Sequence, residues 1–155
     1  MKRKQFLAKT VGLLAAACLM PAAMAAEKAT GPEAEAFVHK AAAYMKANGA
    51  EKAFDEFTNG KSFKDRDLYI FVYDMNGKCV AHGANLKLIG KDLIGMKDPD
   101  GKPLVKMLVD LAKDKGKGWT ETVKFRNPTT DKIQTRVNYV ERVGDYAVGS
   151  GYYQD

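Results

Sequence analysis

Between residues 68 and 74 apolar side chains fill both phases of a strand. Leu68, Ile70 and Val72 fall on one face; Tyr69, Phe71 and Tyr73 fall on the other. The aliphatic face suits packing against a helix. The aromatic face, with its hydroxyls, suits the wall of a pocket. Asp74-Met75-Asn76-Gly77-Lys78 has the composition of a hairpin turn, because asparagine and glycine accept positive φ. A short second strand follows over 78–83. Upstream, Ala36, Phe37, Ala41, Tyr44 and Met45 recur at helical spacing, Asn48-Gly49 interrupts them, and Asn59-Gly60 ends the run. This predicts a long or kinked amphipathic helix over 33–58, packed on one face of the sheet. Downstream, the stretch 83–102 is long for a connection in a compact domain, and loops of that length tend to be functional or disordered. Its Leu86, Leu88, Ile89, Leu93, Ile94 and Met96 argue that it packs onto the body. A turn at Asp98-Pro99-Asp100-Gly101 leads into a periodic helix over 104–113. Three strands then close the chain, over 118–126, 132–142 and 146–153. The turn Asn127-Pro128-Thr129-Thr130-Asp131 separates the first two, and Gly144-Asp145 separates the last two.

The first 25 residues change how the rest is read. Lys2-Arg3-Lys4 is a basic start, residues 11–20 are an apolar run, and Ala23-Met24-Ala25 is a small-x-small cleavage site. The pattern is that of a secretory signal peptide, with a lipoprotein form on Cys18 ranked below simple cleavage. The apolar run is short for a membrane span of about 20 residues. The leader carries Lys2, Arg3, Lys4 and Lys9 and no acidic residue. Without it 21 basic residues face 19 acidic ones, and the net charge falls from +6 to +2. No basic stripe with interleaved aromatics remains, so nucleic acid is not an expected partner. The expected product is one periplasmic or secreted domain over 26–155, large enough to bury a core. It keeps a single cysteine, Cys79, which reads as a half-buried strand residue or an exposed thiol that pairs between chains.

Candidate chemistry is sparse. His39 and His82 are the only histidines, and no Cys-x-x-Cys, His-x-x-x-His, Gly-x-Ser-x-Gly or phosphate loop occurs. No catalytic residue, metal or cofactor is expected, and the Asp98/Asp100 pair reads as a turn rather than a calcium site. What remains suits binding. His82 ends the second strand where the long loop begins; it would either donate to a carboxylate and titrate near neutrality or tie the loop to the backbone. Arg136, alternating with Gln134 and Asn138, is either a carboxylate clamp or a solvated charge on an outer face. Tyr69, and behind it Tyr73, would form an aromatic wall. Trp119 would cap the pocket or anchor packing. Asn85 and Lys91 are loop groups suited to an anion.

The segments also fall in a known order. The stretch Lys52-Ala53-Phe54 to Gly60, with Phe63 and Asp67-Leu68-Tyr69, comes first. Ala81-His82-Gly83-Ala84-Asn85-Leu86-Lys87-Leu88-Ile89-Gly90-Lys91-Asp92-Leu93 follows. Gly118-Trp119, Asn127-Pro128, Tyr139-Val140 and Gly149-Ser150-Gly151-Tyr152-Tyr153 complete it. In these pieces the chain resembles the single-domain form of the Cache family of extracellular sensor domains, over about 33–153. The resemblance implies an α+β, PAS-like Cache fold: a five-stranded antiparallel sheet with a long N-terminal helix. It also implies a short-chain carboxylate such as pyruvate, lactate, acetate or propionate as ligand, held between the aromatic face and the 83–101 loop. Arg136 and His82 would hold the carboxylate, with Tyr69, Tyr73 and Trp119 shaping the apolar end. Three positions depart from the family pattern: Gly83 and Leu86 replace prolines, Phe125 replaces tryptophan, and Arg136 replaces lysine. The last keeps a cation and adds bidentate geometry. A sensor of this kind would signal through a separate membrane receptor or histidine kinase. The alternative is a ligand-free Cache fold that presents the sheet edge or N-terminal helix to a partner or to a second copy as a homodimer. A third reading places noncovalent haem on His82 or His39.

Overall fold

The computed structural model describes residues 28–154; the leader expected over 1–25 lies outside them. The helical run begins at Gly31 and divides in two. Helix α1 (Gly31–Asn48) stops at Gly49, whose φ of 85° turns the chain out of the helix, and α2 (Ala50–Asn59) resumes it. Ala41, Met45, Ala53 and Phe57 from these helices meet Ile70, Val72, Ala81 and Val148 of the sheet. The aliphatic phase of the 68–74 segment therefore faces the helices.

Strands β1 (Lys64–Asp65) and β2 (Leu68–Tyr69) form a small antiparallel pair. The main sheet contains β3 (Phe71–Asp74), β4 (Cys79–His82), β5 (Lys117–Trp119), β6 (Val123–Arg126), β7 (Ile133–Val143) and β8 (Tyr146–Tyr153). Its order is β4-β3-β8-β7-β5, with β6 also paired to β7, and every pairing is antiparallel. The main sheet thus has six strands where five were expected. The difference arises within 117–126. Trp119 pairs with Tyr139 and Val123 with Arg136, so three residues (120–122) oppose two (137–138). That extra residue is a β-bulge, which breaks one predicted strand into β5 and β6. The Thr120 hydroxyl accepts from the Asn138 N–H at 3.2 Å and replaces a lost ladder bond.

The other face of the sheet, carrying Tyr69, Phe71, Tyr73, Cys79, Val140 and Ala147, is covered by α3 (Leu104–Lys115) through Leu104, Val105, Leu108, Val109 and Ala112. Burial pushes the Cys79 thiol up to about 11, so it stays protonated and unreactive at neutral pH. The long loop packs against the same layer through Leu88, Ile89, Leu93, Ile94 and Met96, while Leu86 is 59% exposed. A short 3₁₀ turn (Leu86–Leu88) follows Asn85, whose side chain accepts from the Lys87 N–H at 3.1 Å.

Asp98 fastens the end of this loop. Its carboxylate accepts from the Asp100 and Lys102 N–H groups at 3.0 and 2.8 Å, and from the Lys124 N–H of β6 at 2.9 Å. Burial raises its pKa, but the bonds from Lys124, Lys102 and Asp100 together outweigh burial and leave it below the usual carboxylate range. Asp98→Asn, which turns one acceptor into a donor facing the Lys124 N–H, is expected to lose about 1 kcal/mol in urea unfolding at pH 7. A carboxyl depressed in the folded state stabilises above its unfolded pKa of about 4 and loses that contribution as pH falls through the folded value. The gap between parent and variant should therefore narrow in acid; a gap independent of pH would show that the charge is not what matters.

Candidate functional site

Arg136 sits at the centre of the face between the sheet and α3. The register of β7 and β8 places it opposite Tyr153, and β6 places Val123 on its other side. It is 1% exposed, far from the solvated outer charge that was its alternative reading. Its room comes from Gly151. A Cβ there would lie 2.4 Å from Asn138 Oδ1, 2.5 Å from the Val137 carbonyl oxygen and 2.6 Å from Arg136 Nε, so only glycine fits beside the guanidinium.

The guanidinium is caged by rings. Its carbon lies 4.5 Å from the Tyr69 centroid, 5.0 Å from Tyr153, and 5.9 Å from both Phe71 and Phe125. Nη1 donates to the Tyr69 hydroxyl and, at 2.9 Å, to the Tyr153 hydroxyl. The Tyr153 hydroxyl in turn donates to the Arg126 carbonyl at 2.8 Å. Nε and Nη2 are buried and meet no acceptor among the described residues, and no carboxylate there pairs with the charge. A buried cation with two unused donors is costly unless a counter-group arrives. Arg136 thus combines full positive charge, fork geometry and free donors in one enclosed place.

His82 is the second polar wall. Its Nδ1 accepts from the Ala84 and Asn85 N–H groups at 3.2 and 3.0 Å, which puts the proton of the neutral ring on Nε2. Burial, and then the Arg136 charge, push its pKa down to about 3. The expectation that it titrates near neutrality is corrected: at pH 7 it is a neutral donor. It ties down the loop with one nitrogen and offers the other as a donor. Gly83, in place of a proline, donates its N–H to the Ile70 carbonyl at 2.8 Å, a bond proline could not make. The substitution therefore anchors the start of the loop.

These groups line two adjoining cavities. The inner one is bounded by Tyr69, Phe71, Tyr73, His82, Leu104, Leu108, Phe125, Arg136 and Asn138, with about 10 Å³ of free space. Burial pushes the Tyr73 hydroxyl pKa well above the usual range, so it too stays a neutral donor. The outer cavity is a cleft of about 410 Å³ along Ala84, Asn85, Leu88, Met96, Phe125 and Pro128. The roof of the inner cavity is α3, where the 83–101 loop was expected; the loop lines the outer cleft.

Arg136, His82, Tyr69 and Tyr73 therefore meet around the inner cavity, and Asn85 reaches the outer one. Two expected residues do not join them. Trp119 lies on the opposite face of the sheet, packed edge-on against Tyr139 and Tyr152 with centroids 5.1 and 5.8 Å away, because the bulge at 120–122 inverts the phase of the strand before it. Lys91 is exposed; its carbonyl accepts from the Cys79 N–H at 3.0 Å and its side chain lines neither cavity. His39 also lies on the far side, with Nδ1 2.7 Å from a Glu141 carboxylate oxygen. Sequence reasoning missed Phe125 and Leu104 as cavity residues, and Tyr153 as a partner of the Arg136 guanidinium. Among the described residues no cluster of three or more His, Cys, Asp or Glu could hold a metal ion, and no helix is long and apolar enough to cross a membrane.

Comparison with known proteins places this geometry in a lineage. A methyl-accepting chemotaxis protein of Pseudomonas putida, McpP, is 29% identical over 93 residues, which cover 59% of this chain and 17% of that protein. A sensor histidine kinase of Rhizobium johnstonii, MctS, is 29% identical over 92 residues, covering 58% of this chain and 20% of the kinase. The chain thus spans about a fifth of the length of these relatives. A solved Cache chemosensory domain described for carboxylic acid recognition superposes with a TM-score of 0.67 at 24% identity, over 80% of this chain and 92% of that one. The model of the family described as Single Cache domain 2 matches residues 27–155. The chain belongs to that family, and is a Cache sensor domain related to those of chemoreceptors and sensor kinases.

Proposed function

We propose that this domain is a non-catalytic periplasmic receptor for a small organic carboxylate, and that it signals through a separate chemoreceptor or histidine kinase. The observation that carries the reading is Arg136: a fully buried guanidinium with Nε and Nη2 free, in a cavity whose other polar lining is His82, Asn138 and two tyrosine hydroxyls, with no carboxylate among them. A carboxylate offers two acceptor oxygens and the missing negative charge, so it answers both deficits at once. His82 Nε2–H and the hydroxyl groups of Tyr69 and Tyr73 add neutral donors around it. A cationic ligand would meet the like charge of Arg136, with no carboxylate in the lining to offset it. Family membership supports the sensory role, and the related Cache domain described for carboxylic acid recognition supports the class of ligand. Cache domains of chemoreceptors and sensor kinases work outside the cytoplasm, which supports the compartment.

The test is a thermal-shift screen of the purified chain against short carboxylates, amino acids and polyamines. A carboxylate at a hundredfold excess over its Kd should add about 2.7 kcal/mol of stability and raise Tm by several degrees. Polyamines should leave Tm unmoved. A flat response to every carboxylate, or a shift with polyamines alone, refutes the reading.

A further inference from the structure

The inner cavity has room for about one water-sized group, less than a whole carboxylate, so even a carboxylate head held on Arg136 must reach past its edge. Building on the carboxylate reading, we propose that the outer cleft is a tail subsite, and that the ligand is a monocarboxylate with an unbranched apolar tail of several carbons. The head sits on Arg136; the tail passes Phe125 and lies on Leu88, Met96 and Pro128.

Three observations carry this. The cavities share Tyr69, His82 and Phe125, so these three side chains form the partition between the guanidinium and the cleft. Anything attached to a carboxylate on Arg136 that outgrows the inner space has this partition as its way out. Second, Leu88, Met96 and Phe125 are only half-buried, and Ala84 and Pro128 add apolar surface beside them. Apolar side chains left part-exposed around a concave surface are what a hydrocarbon tail would cover. Third, the charged groups at the rim are already matched: Arg126 pairs with Asp131 at 2.7 Å. The Asn85 side-chain oxygen is held by the Lys87 N–H at 3.1 Å. The cleft thus offers no unpaired charge for a second ionic head, and the ligand it fits has one charged end.

The test is isothermal titration of the full chain with acetate, butanoate, hexanoate and octanoate. Each added methylene that enters the cleft should lower Kd about fourfold, the equivalent of about 0.8 kcal/mol per CH₂, until the tail reaches the rim. Leu88→Ser and Met96→Ser should each weaken hexanoate binding several-fold more than acetate binding. A Kd that is constant or rises from acetate to hexanoate overturns the tail subsite while the carboxylate reading stands. If no member of the series binds, acetate included, the reading beneath it falls as well. The chain-length series needs no variant, so the result stands even if a substitution impairs folding.

Discussion

Arg136→Met is expected to abolish carboxylate binding and, in the same protein, to raise the Tm of the ligand-free domain. The first effect follows from geometry. Among the described residues Arg136 brings the only buried cation to the inner cavity, with two of its nitrogens unengaged. Removing one partner of a buried, hydrogen-bonded charge pair costs about 2–5 kcal/mol of binding, a loss of roughly thirtyfold to a few thousandfold in Kd. The second follows from burial. The empty site leaves a charge in a low-dielectric place with Nε and Nη2 unsatisfied. Replacing buried ionic groups with apolar ones of similar size is often stabilising, here by about 1–2 kcal/mol. Tyr69 and Tyr153 both lose the bond from Nη1, while the Tyr153 hydroxyl still donates to the Arg126 carbonyl. Titration calorimetry and urea unfolding on the same preparation decide it. Binding retained within threefold would remove Arg136 from the site. A variant less stable than the parent would show that the cage holds the fold together more than it holds a ligand. Arg136→Lys, which keeps a point charge and loses the fork, should fall between the two.

Acid should expose His82 next. Its folded pKa is depressed to about 3, against about 6.5 when unfolded. For a base depressed in this way the unfolded chain takes up a proton that the folded chain refuses, so stability falls as pH drops through the window from about 6.5 to 3. The slope approaches about 1.4 kcal/mol per pH unit, and the loss between pH 7 and pH 5 is about 2 kcal/mol. Other groups also titrate there, so the measurement is the difference between parent and His82→Gln in urea unfolding at both values. The variant should lack that 2 kcal/mol decline. Equal declines in the two proteins would mean that His82 takes up its proton in the folded state as readily as in the unfolded one. Because its Nδ1 holds the Ala84 and Asn85 N–H groups, protonation there also competes with the anchoring of the loop.

Much of this was readable in the chain, for identifiable reasons. Strict alternation over 68–73 assigned each side chain to a layer, since a strand has only two faces and both were apolar in different ways. Arg136 and Asn138 share a phase of β7, and that phase faces the site. The family membership inferred from ordered motifs matched the fold; the strand count did not, and the reason is the bulge. One extra residue between Trp119 and Val123 inverts the in–out pattern, so counting by twos through 118–126 sends Trp119 to the wrong face. Nothing in Thr120-Glu121-Thr122 announces a bulge, because it depends on where β7 supplies partners. Tyr153 was missed although a signal existed. Counting outward from the turn Gly144-Asp145 pairs Val143 with Tyr146 and, seven steps on, Arg136 with Tyr153. The small free space around Arg136 was beyond reach, since it reflects how Leu104 and Leu108 of α3 settle onto the sheet.

The loop that borders the outer cleft has a second consequence. Gly90 donates to the Cys79 carbonyl at 2.8 Å, Cys79 donates to the Lys91 carbonyl at 3.0 Å, and Leu93 donates to the Gly77 carbonyl at 3.0 Å. The first two bonds cover the outward side of β4 at Cys79, and the third ties the loop to the turn before it, at an edge that would otherwise be ready to recruit another chain. Any excursion that lifts the loop to admit a ligand therefore bares an aggregation-prone edge for as long as it lasts. The ligand, by keeping the loop down, would act as a solubility factor as well as a signal.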